Sequence, residues 1–153
     1  MIRVVVFILI IVIGVYVSIY IDRQYRCRLR VYKDMKYILS VYKEEIMFTK
    51  EGFSKVLSIA RPKITDYTYM LIYEYMESGG IRYIFKSADF ADVYTFLDEV
   101  GQGNVEYEVS RVKYYIGSID DGISALSVDY EKNGKVYVKL ILVMGVLIAM
   151  LLL

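Results

Sequence analysis

Histidine is absent from the 153 residues, and cysteine occurs once, as Cys27. Those two counts remove whole classes of chemistry. A Ser-His-Asp triad, a Cys-His pair and a histidine-ligated zinc or haem site all need residues that this chain lacks. One cysteine forms neither an internal disulfide nor a CxxC metal site. Carboxylates remain as candidates for general acid and base work, and they stand as neighbours in Glu44-Glu45, Asp98-Glu99 and Asp120-Asp121. On a helix, consecutive side chains diverge by about 100°, so such pairs do not converge on one substrate. Gly101-Gln102-Gly103 lacks the preceding strand and the third glycine of a nucleotide fingerprint, and reads as a helix C-cap. No Walker lysine motif occurs. The chain therefore reads as non-enzymatic, with no catalytic residue, no metal site and no cofactor.

What the charged residues can do is recognise a partner. Asp22–Lys63 holds 11 basic and 5 acidic residues, net +6, whereas Ile64–Glu131 holds 4 basic and 13 acidic, net −9. Lys132–Lys139 returns +3, and the whole chain carries +1, too little for a field that collects nucleic acid. The plainer reading of this polarity is complementarity between the two halves together with solvated faces. The functional reading is an acidic face, around Asp89, Asp92, Asp98, Glu99, Glu106 and Glu108, held out to a basic partner. Complementarity of that kind mainly sets partner choice and association rate.

The elements that would carry such a face begin and end in apolar runs. The composition is 57% hydrophobic with a mean hydropathy of +0.40, above the usual globular range. Val4–Ile21 is 18 residues with only Gly14 and Ser18 outside the apolar set, and Leu140–Leu153 is 14 with only Gly145 outside it. About 20 apolar residues span a ~30 Å hydrocarbon core. The second run reaches 18 residues counted from Val136, with the Lys139 ammonium snorkelling to the head groups. Only Arg3 precedes the first run, and Ser18-Ile19-Tyr20-Ile21 offers no small-x-small cleavage site, so an uncleaved anchor is expected. Arg23, Arg26, Arg28, Arg30, Lys33 and Lys36 follow the first run, and Lys132, Lys135 and Lys139 lie at the entry to the second. The positive-inside rule then places the middle in the cytoplasm and both termini outside. The expected organisation is a transmembrane helix over 1–22, a cytoplasmic domain over 23–135 and a second transmembrane helix over 136–153.

The middle has helical spacing. Apolar positions run Val105, Val109, Val112, Ile116, Ile119, Ile123, Leu126, Tyr130 in alternating steps of four and three, a coiled-coil-like seam on one long helix. Tyr25, Leu29, Tyr32, Met35, Leu39, Tyr42 and Ile46 form a matching stripe. Between them, Thr49 is expected to cap a helix stapled by Phe48 and Phe53, with Phe53, Val56, Leu57 and Ala60 on one face and a stop at Arg61-Pro62. A helix over Lys63–Glu77 stops at Gly79-Gly80, and a short piece covers Ile81–Lys86. A further helix, capped by Asp89, runs to Val100, and Asn104 caps the last one. Gly117, Gly122 and Gly134 each cost the last helix about 1 kcal/mol, and it bends if anywhere at Asp120-Asp121-Gly122. The 17 tyrosines read mostly as core or membrane-interface residues. The expected fold is all-α: a compact antiparallel bundle of about six helices on a long helical hairpin, flanked by two transmembrane helices.

With those segments in hand, the chain resembles the stage III sporulation protein AB family of endospore-forming bacteria over essentially its whole length. Arg26–Ala60 looks like that family's leucine-spaced first helix, then Glu45-Ile46 and a second helix ending Ile59-Ala60. Phe96–Asn104 is similar to its leucine- and glycine-rich turn, and Tyr137 to Gly145 to its membrane entry. Lys50 stands where the family often has proline, Leu97 where glycine is common and Glu108 where glutamine is usual. The resemblance implies one cytoplasmic six-helix domain like those of the inner-membrane platform protein of type II secretion and type IV pilus machines. It also implies a place in the channel complex of the mother-cell membrane around the forespore. The implied partners are the AA-type cytoplasmic ATPase, other channel membrane proteins, the lipid bilayer and further copies of the chain, with no nucleic acid. The other reading is a structural membrane-anchored coiled-coil protein with no ATPase partner, in which the Thr49–Gly103 helices would be loose.

Overall fold

The computed structural model describes residues 2–48, 52–77 and 90–151. Every regular element among them is helical, so the protein is all-α. Helix α1 runs Ile2–Phe48, α2 Phe53–Ala60, α3 Asp66–Glu77, α4 Ala91–Glu99, α5 Val105–Asp129 and α6 Lys135–Leu151. A 3₁₀ turn at Arg61–Lys63 follows α2, and a π-helical turn at Tyr130–Gly134 joins α5 to α6. The chain divides into two compact units, Arg30–Ser124 on the one hand and Met1–Leu29 with Ala125–Leu153 on the other.

The Arg30–Ser124 unit holds the hydrophobic core. From α1 come Val31, Met35, Ile38, Leu39, Tyr42 and Ile46, and from α2 Phe53, Val56, Leu57 and Ala60, all buried. Leu71, Ile72 and Tyr75 of α3, Val93, Phe96 and Leu97 of α4, and Val112, Tyr115 and Ile119 of α5 close it. The face expected for α2 is thus the buried one, and Arg61-Pro62 does end that helix in the 3₁₀ turn.

Its start differs from the sequence expectation. Gly52 is the N-cap, in extended conformation (φ −70°, ψ 155°) and without a side-chain cap bond. Phe48 is 84% exposed, so no staple closes over the entry. Phe53 goes into the core instead, where it meets the Tyr42 ring edge-on at 5.2 Å. Thr49, the Gly79-Gly80 stop, the Ile81–Lys86 piece and Asp89 lie outside the described residues.

Helix α3 also starts later than Lys63, because Thr65 caps it. The Thr65 hydroxyl accepts from the Thr68 amide (3.4 Å), and the Thr65 carbonyl takes the Tyr69 amide (3.0 Å). Asp34 of α1 then fixes that end of α3. Its Oδ2 accepts from the Thr65 amide at 3.0 Å, the Thr65 hydroxyl at 2.6 Å and the buried Thr68 hydroxyl at 2.8 Å. Helix α5 passes through Asp120-Asp121-Gly122 without a break, and Lys36 of α1 donates to both Asp120 oxygens at 2.6 and 2.8 Å.

In the other unit, α1 and α6 run antiparallel: Tyr25 bonds Asp129, Asp22 bonds Tyr130, and Gly14 faces Ile141. A Cβ at Gly14 would lie 3.9 Å from the Ile141 carbonyl oxygen, an ordinary van der Waals contact, so α1 and α6 touch here without requiring glycine. Ser18, buried one turn on, donates to the Gly14 carbonyl at 2.9 Å, which keeps its hydroxyl satisfied on an apolar face. Ile8, Leu9, Val12, Ile13, Ile19 and Tyr20 of α1, and Leu140, Val143, Leu147 and Ile148 of α6, are exposed. Among the described residues one helix, α1, is long and apolar enough to cross a membrane.

The expected smooth passage from α5 into the last apolar segment is replaced by the π turn. Within it Gly134 is buried under the Tyr130 ring: a Cβ there would sit 2.6 Å from Cδ2 of Tyr130.

Asp34 gives the test of this packing. Asp34→Ala removes the acceptor of the Thr65 amide and leaves the Thr65 and Thr68 hydroxyls, 2.9 Å apart, with only each other as acceptor, and is expected to cost about 1–3 kcal/mol. Thermal unfolding of the full chain in detergent, followed by far-UV circular dichroism, should show a clear drop in Tm. Asp66→Ala, at a carboxylate that is 92% exposed, should leave Tm in place.

Candidate functional site

The candidate site is the turn from α4 to α5 and the carboxylates around it. Helix α4 ends at Glu99, and Gly101 takes φ +81°, a left-handed conformation that a side chain would strain. The Gln102 side-chain Nε2 donates to the Asp98 carbonyl at 2.6 Å, closing the turn. Asn104 caps α5 as its sequence position predicts, accepting the Tyr107 amide at 2.8 Å.

The carboxylates do different things. Asp98 is exposed and accepts from the Tyr75 phenol at 2.6 Å. Glu99 is half-buried and accepts from the Tyr115 phenol at 3.1 Å. Asp92 is exposed beside Ser118, whose hydroxyl reaches it at 3.2 Å, and Glu106 is exposed on the first turn of α5. Glu108 does not belong to an outward face. It is 4% exposed, pairs with Arg111, whose side chain is 9% exposed, and accepts from the Gly103 amide at 3.0 Å. The outward set is therefore Asp92, Asp98, Glu99 and Glu106, with Glu108 as a buried strut and Asp89 outside the described residues.

The sequence reading missed Tyr75, Tyr115 and Arg111. The Glu108–Arg111 spacing of i,i+3 was a usable signal. Nothing local marked the two tyrosines, whose partners lie 23 and 16 residues away. Burial pushes the Tyr115 phenol up to about 12, aided by its bond to Glu99, and burial with the nearby Glu108 carboxylate does the same to Tyr42. Among the described residues no group of three or more Asp, Glu or Cys side chains converges as a metal site would need.

A second feature lies within the unit made of Met1–Leu29 and Ala125–Leu153. A cavity of about 190 Å³ is lined by Tyr25, Arg26, Leu29, Leu126, Ser127, Tyr130, Glu131 and Lys135. The Tyr25 and Tyr130 rings meet at 5.2 Å, and the Tyr25 phenol donates to Asp129 at 2.8 Å. Arg26 Nε pairs with Asp22 at 2.8 Å and Lys135 with Glu131 at 3.7 Å. The Asn133 amide, then the Tyr25 phenol, hold Asp129 below the usual carboxylate range, and that carboxylate in turn holds the Tyr25 phenol up.

In comparisons with protein-family models, curated proteins and solved structures, no match to the chain was found.

Two outcomes follow from the turn. Glu108→Ala leaves the Arg111 guanidinium buried without its carboxylate and is expected to cost about 3–5 kcal/mol, whereas Glu106→Ala should change nothing measurable in the same thermal melt. The raised phenols give the second. A folded state that keeps Tyr42 and Tyr115 protonated to about 12 binds more protons than the unfolded chain above pH 10. Its stability is then complete below pH 10 and is lost as pH rises toward 12. Tyr42→Phe and Tyr115→Phe should each flatten that alkaline decline, read as Tm against pH.

Proposed function

We propose that the chain is a non-enzymatic membrane platform subunit of the mother cell-to-forespore channel of endospore formation, coupling a cytoplasmic secretion-type ATPase to membrane components. In this reading two transmembrane helices flank a cytoplasmic bundle of about six helices, and other channel proteins and the bilayer are its remaining neighbours. The observation that carries it is the packing of α2, α3 and α4 into one core with α1 and α5. A simple coiled coil has no use for that core and would leave the helices between its two arms loose. Three further features support the reading. The long, exposed apolar stretch of α1 and the exposed apolar side chains of α6 suit lipid rather than water. The antiparallel approach at Gly14 and Ile141 suits two neighbouring spans that leave both termini on one side. The 17 residues of α6 rise about 26 Å, close to the thickness of a bilayer core.

The partner surface in this reading is the outward acidic set. A tagged full-length protein purified from sporulating cells should bring down the AA-type ATPase. Reversal of Asp92, Asp98 and Glu106 to Lys should cut that recovery about tenfold at physiological salt, with the far-UV spectrum unchanged. Unchanged recovery would show that the face is only solvated. Recovery of the protein without any channel component, from a detergent that preserves the complex, would favour the structural coiled coil.

A further inference from the structure

We propose that the cavity between α1, the end of α5 and the π turn binds one anionic phospholipid. Its phosphate would sit on Arg26 and Lys135, and its glycerol and first methylenes between the Tyr25 and Tyr130 rings and Leu29 and Leu126. The inference rests on the two-span reading above, which puts the mouth of the cavity at the head-group level.

Size, lining and position lead to this ligand class. At about 190 Å³ the cavity is smaller than the ~300 Å³ at which sites for whole small molecules begin. It holds part of a molecule whose remainder lies in another phase. Its lining is largely aromatic and aliphatic, and its charged members are a guanidinium and an ammonium, the two side chains suited to phosphate, with the Glu131 carboxylate beside the ammonium. A free phosphate ion has no use for the apolar lining, and an acyl chain has no use for the charges. A molecule with both parts uses the whole site.

The cations are held ready rather than consumed. Asp22 takes Arg26 at Nε, and the guanidinium fork carries four further N–H donors. The Lys135–Glu131 pair is 3.7 Å apart and more than half exposed on both sides, so a phosphate exchanges for it at little cost. In sequence, the lining starts four residues beyond Ile21, where the first apolar run ends, and stops at Lys135, next to Val136, where the second begins. Basic pockets between membrane helices on the cytoplasmic side are where anionic head groups bind. Finally, the π turn sets Tyr130 against the cavity, and π turns of this kind recur at functional positions.

The test is native mass spectrometry of the full chain released from micelles holding equal amounts of dioleoyl phosphatidylglycerol and dioleoyl phosphatidylcholine. Phosphatidylglycerol adducts should exceed phosphatidylcholine adducts by about tenfold. They should fall about tenfold in Arg26→Gln with Lys135→Gln, and also in Leu126→Trp, which fills the cavity and keeps both charges. Leu29→Trp fills it from the opposite wall and replaces Leu126→Trp if that variant loses helicity. Arg23→Gln with Lys132→Gln removes two charges that do not line the cavity and should leave the adducts in place. Equal loss in both charge variants, or no loss on filling the cavity, would overturn the site in favour of juxtamembrane charge acting without a pocket. Displacement of the lipid by millimolar glycerol 3-phosphate would overturn it in favour of a soluble phosphate ester. Carbonate extraction of the cell membranes separates the two levels of the argument. Release of the wild type sinks the two-span reading and the site with it, while retention without a lipid preference sinks the site and spares that reading.

Discussion

Phe96 holds the Arg30–Ser124 unit together. It is fully buried, and three other rings close around it: Phe53 at 5.7 Å, Tyr115 at 5.3 Å and Tyr42 at 6.2 Å, all edge-on. Those rings come from α2, α5 and α1, so one side chain of α4 ties four helices to one point. Edge-to-face pairs add about 0.5–1.5 kcal/mol each beyond the area they bury. The contribution matters because α4 has nine residues and is too short to hold its own shape in water. The geometry of the acidic turn follows from the same point. Asp98 and Glu99 stand on the last turn of a helix fixed by Phe96, and Tyr115, which touches Phe96, is the donor to Glu99.

Much of this was legible as periodicity. The stripes of α1 and α5 are helical and their inner members are buried, because a helix that covers a core must repeat its apolar residues at 3.6. What the stripes under-read is width. Val31 and Ile38 of α1 and Tyr115 of α5 lie off the strict seam and are still buried, since each helix packs on several others rather than on one partner. Glu108 is the sharper miss. A carboxylate beside Glu106 reads as solvated, and nothing in the local sequence says that the chain folds back so that the Gly103 amide covers it. A glycine is what permits the fold-back: a Cβ at Gly103 would meet the Tyr107 ring at 2.5 Å. The α2 cap failed for a related reason. Thr49 is the better capping residue by type, but Phe53 is needed in the core, and the helix starts where that demand places it.

Glycines in the other unit carry the same lesson. Counted by propensity, Gly14 and Gly134 are penalties. In the fold, Gly14 lies where the two apolar helices touch with room for a Cβ, and Gly134 makes room for the Tyr130 ring. That ring then brings its hydroxyl to Asp22 and its face to Tyr25. The ring packed over Gly134 thus belongs to the polar closure between the ends of the two apolar segments, within the π turn. The spacing Gly14-xxx-Ser18 was present in the sequence, but small residues gain meaning only once the partner helix is known.

The tyrosines connect the fold to its surface charge. Several phenols donate to carboxylates: Tyr75 to Asp98, Tyr115 to Glu99, Tyr25 to Asp129, Tyr73 to Glu77 and Tyr130 to Asp22. A neutral donor satisfies a carboxylate without cancelling its charge, which a lysine or arginine would do. Ion pairs such as Lys36–Asp120 and Arg61–Asp66 do join the basic and acidic stretches of the chain, so part of the polarity is internal complementarity. At the α4–α5 turn, however, the partners of Asp98 and Glu99 are phenols, and the negative charge there persists. The chain holds no histidine, the side chain whose ordinary titration falls nearest neutrality. An interface built on the carboxylates of the turn responds to ionic strength, through screening. That behaviour suits the proposed reading, in which the face recognises a basic protein surface by charge.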